Sequence, residues 1–480
     1  MKRRILKFFI ILLIILAVPI GLFHYIKPLP EGISIEGELV QVTEDQVEFL
    51  SDSTYINNDK KRQSNQEIFD RVFSMIKNAQ EFILIDMFLF GSGNEPYRDI
   101  AKELVDSLIE KKQEIPDIDI TFITSAYNTM YADFSTHPLL HKLQNENIRV
   151  VPSNIIKLRD SNPFYSAFWR ITAGLFPVPN NGFITNPLSD YPKKIGIRNF
   201  LTLLNFKANH RKVVIADNGD RVASLVTSGN PHGPSSAHSN VALYFESENW
   251  RDLYASEQVV FALSGIDDTL PKKQEQKNTS DAKLTLQVLT EKKIKNSILS
   301  AIQETKKDDQ IKLAMFYLSD RDIIKSLIAA GNRKVKIKII LDPNKDAFGI
   351  EKNGIPNRQS GYEILQNTDD SVELRWYDTH GEQYHTKLLL IDKKDQDSIM
   401  ILGSANYTKR NLDDFNLETN IFLKGTSTTM PFIKANNFFD TAWSNPDGKV
   451  YTTEFETYKD DSKLKAWIYR FQEALGMSTF

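Results

Sequence analysis

The chain has 480 residues, 41% of them hydrophobic and 25% charged, with a formal net charge of −3. That length accommodates two lobes, each with its own core, and the composition is globular rather than disordered. A dedicated nucleic-acid binder is usually more basic overall, which leaves room only for a local patch. The absence of cysteine excludes disulfides, thiolate metal sites and a cysteine nucleophile.

Ile5 to Ile26 is almost wholly apolar and follows Lys2, Arg3 and Arg4. At about 1.5 Å per residue such a run spans a bilayer core of roughly 30 Å. The basic start places the N-terminus in the cytoplasm and the rest outside. The expectation is a cytoplasmic tip and transmembrane anchor over 1–27, with an extracytoplasmic catalytic domain. A cleaved signal peptide shares these features, but no small-x-small site follows the run.

Beyond it the chain repeats. Glu81–Phe88 reads as a buried strand, Asp99–Lys111 as an amphipathic helix and Ile118–Ser125 as a second strand. The same order returns as Ile311–Tyr317, Asp320–Ala330 and Lys334–Asp342. Each strand–helix–strand unit implies a right-handed crossover between parallel strands, and each is followed by another strand, Ile148–Pro152 or Val372–Tyr377. Asp267 to Lys283 is polar and reads as a linker. The expected α/β protein has one lobe over 28–266, a linker over 267–283 and a second lobe over 284–480.

The motifs give the repeat its chemistry. His210-Arg211-Lys212 ending in Asp217, and His385-Thr386-Lys387 ending in Asp392, both read His-x-Lys-x4-Asp. Each leads to a small-residue strand end, Ser228-Gly229-Asn230 or Ser404-Ala405-Asn406, 20 or 21 residues from His to Asn. In a strand, residues two apart share a face. His210 and Lys212 therefore point together, as do His385 and Lys387, whereas Asp217 and Asp392 face away. Ser228 with Asn230, and Ser404 with Asn406, form like pairs on a neighbouring strand. Joined about a pseudo-twofold axis, the halves give one cleft with two imidazoles, two ammonium groups, two amides and two hydroxyls. No acidic cluster suited to a divalent ion lies among them. Such a cleft fits a phosphodiester, with cations and amides on the non-bridging oxygens, one imidazole to attack and one to protonate the leaving oxygen.

This duplicated motif resembles the signature of the phospholipase D superfamily, over roughly residues 45 to 445. The resemblance implies two phospholipase D-like α/β/α lobes around a pseudo-twofold active site, and a reaction without metal or other cofactor through a phosphohistidine. It implies His210 as nucleophile and His385 as acid and later base. Lys212, Lys387, Asn230 and Asn406 would hold phosphate, Ser228 and Ser404 would support them, and Asp217 and Asp392 would be structural. Family members usually add a carboxylate downstream of each motif to orient its histidine. Glu418 fits in the second half, but the aligned residue in the first is Asn240, with Glu246 another candidate. The expectation is Glu418 on His385, keeping it charged, and Asn240 near His210, leaving it neutral.

The halves differ most just before the motif. Residues 157–211 hold eight basic residues against two acids, and nine aromatics including Phe164, Tyr165, Phe168 and Trp169. Such an insert, running into a catalytic strand, suits an anionic membrane interface, single-stranded nucleic acid, or packing onto its own lobe. His137 and His141 sit four apart on an expected helix without a third metal ligand. His232, His238 and His380 lie near the motifs, and the polar loop 343–358 follows a strand end where α/β sites are built. Ser462–Leu475 reads as an amphipathic helix. The favoured function is a phospholipase D-type enzyme on membrane phospholipids at a lipid bilayer, by hydrolysis or phosphatidyl transfer. The alternatives are a membrane-anchored nuclease for single strands and a catalytically dead scaffold.

Overall fold

The computed structural model describes residues 2–93, 97–125, 128, 137–177, 182–185, 194–273, 281–347, 350–394 and 396–478. Part of the expected linker (274–280), two residues of the loop 343–358 and parts of the insert fall outside them.

Two mixed sheets carry the fold. In the first the strand order is Arg62–Asn65, Val47–Ile56, Asn240–Phe245, Arg221–Thr227, Lys212–Asn218, Phe82–Met87, Asp119–Ser125, Arg149–Ser153. In the second it is Val40–Val42, Leu284–Thr290, Thr419–Gly425, Ser398–Gly403, Lys387–Asp392, Gln310–Met315, Lys336–Leu341, Val372–Tyr377, Thr452–Glu454. Past the edge strands the two orders correspond strand for strand, so the repeat read in the sequence is a repeat of the fold. The strands of each expected crossover unit are parallel, as Phe82–Met87 with Asp119–Ser125 and Gln310–Met315 with Lys336–Leu341. Each motif strand runs antiparallel to its first crossover strand.

The sheets meet face to face. Val213 and Ile215 share one buried cluster with Leu388, Leu390, Leu402 and Leu423 of the other lobe. The alternate residues, Val214 and Ala216 or Leu389 and Ile391, pack under the outer helices of their own lobe. Two apolar faces per strand explain the unbroken Val/Ile/Leu runs. The halves also exchange chain: Val40–Val42, far upstream, adds the edge strand beside Leu284–Thr290 of the second sheet.

The N-terminal run forms a helix, Lys2–Ile26. Among the described residues, however, no helix is long and apolar enough to cross a membrane, so the expected transmembrane anchor is not carried by the structure. The helix's last turns are seated on the insert. The His24 carbonyl accepts from Asp160 N at 3.0 Å, and a Cβ on Gly21 would meet the Pro163 carbonyl at 2.8 Å.

Candidate active site

Both motif strands begin at the lysine, so each histidine stands two residues before its strand, at the mouth of the sheet. There the two lobes touch through backbone. His210 N donates to the Leu417 carbonyl at 2.9 Å, and Ser239 N donates to the Gln383 carbonyl at 3.1 Å. These are twin contacts: the chain before each histidine lies beside the segment that leads into the other lobe's carboxylate or amide strand.

The lysines are built alike. Lys212 Nζ donates to the His210 carbonyl at 2.7 Å and Lys387 Nζ to the His385 carbonyl at 2.8 Å. Each ammonium lies 5.2 Å from an aromatic centroid, Phe88 for Lys212 and Phe316 for Lys387. The same rings flank the histidines, at 4.7 Å for Phe88–His210 and 5.1 Å for Phe316–His385. Neither phenylalanine stands out in the sequence as a site residue, although each directly follows an equivalent strand, the one signal that marks them. All four motif groups are buried, which disfavours their charged forms. Burial pushes His210 down to about 4 and Lys212 down to about 7, and holds His385 and Lys387 well below their usual ranges. The motifs also lie within electrostatic reach of each other. Lys387 adds to the lowering at His210, and Lys212 and His210 add to it at His385. A phosphodiester anion entering here would favour every charged form at once.

The histidine partners are crossed. His210 Nδ1 lies 2.9 Å from Glu418 Oε1 of the second lobe, and His385 Nδ1 lies 3.2 Å from Asn240 Oδ1 of the first. The expected pairing, Glu418 on His385 and Asn240 on His210, is thus reversed. The alignment behind it holds: Ser228 N and Ser404 N donate to Val241 O and Thr419 O, each at 2.9 Å, so Asn240 and Glu418 occupy equivalent places. The side chain at that place enters the cleft and meets the histidine across the axis. Glu418 also accepts from the Ser404 hydroxyl and the Asn411 amide. Glu246 is taken by Tyr244, Asn218 and Arg221.

Asn230 Oδ1 accepts from Leu89 N at 3.1 Å, which ties it to the Phe88 turn. Asn406 is buried, and its Oδ1 has no hydrogen-bond partner among the described residues. The motif aspartates stand at the far strand ends. Asp217 accepts from the backbone N–H groups of Glu81 and Phe82 at 2.9 Å each, and Asp392 accepts from Ser398 Oγ at 2.9 Å. Between His210 and Lys212, Arg211 faces the other way. It is buried between the lobes, with Glu291 at 2.9 Å and Glu257 at 3.3 Å. Glu291 Oε1 also accepts from Glu418 N at 3.0 Å, so this ion pair braces the strand that supplies the carboxylate.

Of the other histidines, His238 stands beside His385, with ring centroids 5.8 Å apart. His232 bonds Ser235 and His380 bonds its own turn at Asp378. His137 precedes the helix Pro138–Asn145 and packs on Phe90, while His141 bonds Asn145. Among the described residues no cluster of three or more potential metal ligands occurs.

The insert differs from its sequence profile. Arg170 and Lys207 both pair with Asp160, Arg159 pairs with Asp414, and Arg211 is buried as above. Arg198 lies over the Trp169 ring. Much of the local positive charge is therefore consumed internally. The insert exposes the apolar Phe164, Phe168 and Phe176, together with Lys157 and Lys194.

Comparison with known proteins bears on the fold. Residues 298–443 match the family model described as "Cardiolipin synthase, PLD-like domain". No curated protein matches the chain. Among solved structures the chain is similar to phosphatidylserine synthase from Haemophilus influenzae Rd KW20, with 10% identity and a TM-score of 0.55. That alignment covers 92% of this chain and 96% of the other, and shows a shared fold. NucT from Helicobacter pylori aligns at 20% identity over 35% of this chain and 99% of its own, with a TM-score of 0.28. Nuc from Salmonella typhimurium, titled a phospholipase D family member, aligns at 21% identity over 36% of this chain and 99% of its own, with a TM-score of 0.27. The two alignments cover too little of this chain to inform its architecture.

Proposed function

We propose that this chain, of which residues 298–443 match a phospholipase D-like domain model, is a phosphodiesterase of the phospholipase D type acting on membrane phospholipids. It would hydrolyse phosphatidyl groups or transfer them to an alcohol. The observation that carries the reading is the convergence at one mouth of His210, Lys212, His385 and Lys387, with each histidine's Nδ1 held by the opposite lobe.

The proposed steps follow from those bonds. With Nδ1–H donated to Glu418, His210 keeps its lone pair on Nε2, which attacks phosphorus. The bond from phosphorus to the leaving oxygen breaks, and His385 gives that oxygen a proton. Glu418 offsets the positive charge that develops on the His210 ring. Lys212, Lys387, Asn230 and Asn406 would hold the non-bridging oxygens. Water or an alcohol then attacks phosphorus, His385 takes its proton, and the P–N bond breaks. The expectation that a neutral partner leaves His210 free to attack is replaced by this one, in which a carboxylate stabilises the phosphorylated ring.

A lipid surface suits what the molecule exposes. On the helix Lys463–Leu475 the exposed apolar residues Leu464, Trp467 and Phe471 share one stripe. Its end abuts the insert: Arg410 donates to the Gly476 carbonyl at 2.8 Å and to Ser161 Oγ at 3.2 Å. Aromatic side chains of this kind favour the bilayer interface.

The test incubates the purified protein with mixed-phospholipid vesicles and with labelled single-stranded DNA, each with and without EDTA. Headgroup release or exchange that persists in EDTA is expected. Cleavage of the DNA alone would replace this reading with the nuclease.

A further inference from the structure

The second half-site contains an amide where the first has a carboxylate, and a carboxylate stands directly behind that amide. Asp52 is the register partner of Asn240 on the adjacent strand Val47–Ile56. It is 4% exposed, and as the register partner its carboxylate shares a face of the sheet with the Asn240 side chain, whose amide favours the ionised form of Asp52. The other contacts of Asp52 are the backbone N–H groups of Glu67 and Ile68, at 2.9 and 3.2 Å, where the helix Ile68–Asn78 begins.

We propose that Asp52 is a positioning residue for His385, acting through Asn240 as a carboxylate–amide–imidazole relay. The proposal rests on the functional reading above and deepens its account of the leaving-group acid. The orientation of the amide is decided by its neighbours. Its Nδ2 donates to the His238 carbonyl at 3.2 Å, a group that accepts and cannot donate. The same Nδ2 lies on the side of Asp52, which is an acceptor in its ionised form although burial raises its pKa to about 7. Its Oδ1 therefore faces the two donors, Ser228 Oγ at 3.2 Å and His385 Nδ1 at 3.2 Å. With Nδ1–H so engaged, His385 presents Nε2 to the substrate, the atom that must carry and release the proton. The carboxylate also polarises the amide, enriching Oδ1 in negative charge, and so supports the imidazolium more than a lone amide would. In the first half-site Glu418 does the same work in one step.

Substitution of Asp52 by Asn keeps a cap for Glu67 and Ile68 but turns a donor toward Asn240 Nδ2. The amide is then driven to flip, and its NH2 group confronts His385 Nδ1. Asp52→Asn should lower the His385 pKa measured by NMR on the isotopically labelled protein. It should also slow phospholipid turnover about tenfold or more, with a much smaller loss on a nitrophenyl phosphodiester whose leaving group needs no proton. The reciprocal double variant, Asp52→Asn with Asn240→Asp, places the carboxylate directly on His385. It should raise the His385 pKa above that of wild type and restore phospholipid turnover to within a few-fold.

An unmoved His385 pKa in Asp52→Asn, or equal losses on both substrates with no recovery in the double variant, overturns the relay. If Asp52→Asn alone does not fold, the double variant against wild type decides, and identical His385 titrations overturn the proposal. Failure of the functional reading looks different: the wild type would not turn over phospholipid, although the NMR titrations still respond to Asp52.

Discussion

The two half-sites share histidine, lysine, serine, asparagine and a flanking phenylalanine at equivalent positions, yet their supports differ. His210 bonds a carboxylate that is itself bonded by Ser404 and Asn411. His385 bonds a neutral amide with Asp52 behind it. Between histidine and lysine, the first half carries Arg211 in a buried ion pair with Glu291, and the second carries Thr386. A duplicated site whose groups face one substrate from opposite sides has no need to keep both copies alike. In the proposed reaction one histidine must tolerate a positive charge while bonded to phosphorus, and the other must lose a proton within the same step. The direct carboxylate suits the first task and the weaker support suits the second.

The sharpest way to break this comparison is to remove each imidazole. His210→Ala and His385→Ala should each lower phospholipid turnover on the order of 10⁴-fold. Only His385→Ala should still form a phosphoryl adduct, on His210, with a nitrophenyl phosphodiester, read by mass spectrometry after acid quench. An adduct on His385 in the wild type, with His210 unmodified, would reverse the roles.

Next come the supports. Glu418→Gln should slow adduct formation about 100-fold, whereas Asn240→Ala should slow it about tenfold or less on the nitrophenyl ester. Rapid-quench kinetics separate the two, and equal effects would dissolve the asymmetry.

The third test is structural. Arg211→Met leaves buried carboxylates uncompensated and should cost about 3–5 kcal/mol, whereas Thr386→Val should stay within about 1 kcal/mol. Denaturant unfolding of both variants checks this, and a mild Arg211→Met would show that the brace between the lobes contributes little.

The smallest effect is on pH. Burial lowers His210 to about 4 and His238 to about 3, against an unfolded value of about 6.5. Below about pH 6.5 the unfolded chain binds protons that the folded chain refuses, so stability is full above that pH and declines as pH falls toward 4. His238→Gln should flatten part of the decline in melts taken from pH 8 to 4. An unchanged slope would show that His238 takes up its proton as readily in the fold as in the unfolded chain.

Much of this was legible before the structure. The strand–helix–strand repeats and the strand Val372–Tyr377 fall where hydrophobic periodicity puts them, because each buries a face its own pattern specifies. The helix after Ser462 also forms where expected, with Leu464, Trp467 and Phe471 of its apolar stripe left exposed. The apolar N-terminal run does form a helix, but hydropathy along a sequence does not register where the helix is seated. The insert misled in charge: a tally along the chain cannot see that Asp160 takes up two of its bases, or that Glu257 and Glu291 lie 46 and 80 residues from Arg211.

The sequence by itself determined the two motifs, the shared face of each histidine with its lysine, and the equivalence of Asn240 with Glu418. All of these follow from strand periodicity and from spacing within one lobe. Only the tertiary structure decided which histidine each partner serves, and that Asp52 stands behind the amide. The physical reason is that a residue at the mouth of one sheet points across the pseudo-twofold axis. There it is closer to the other lobe's histidine than to its own, a distance that no spacing along the chain encodes.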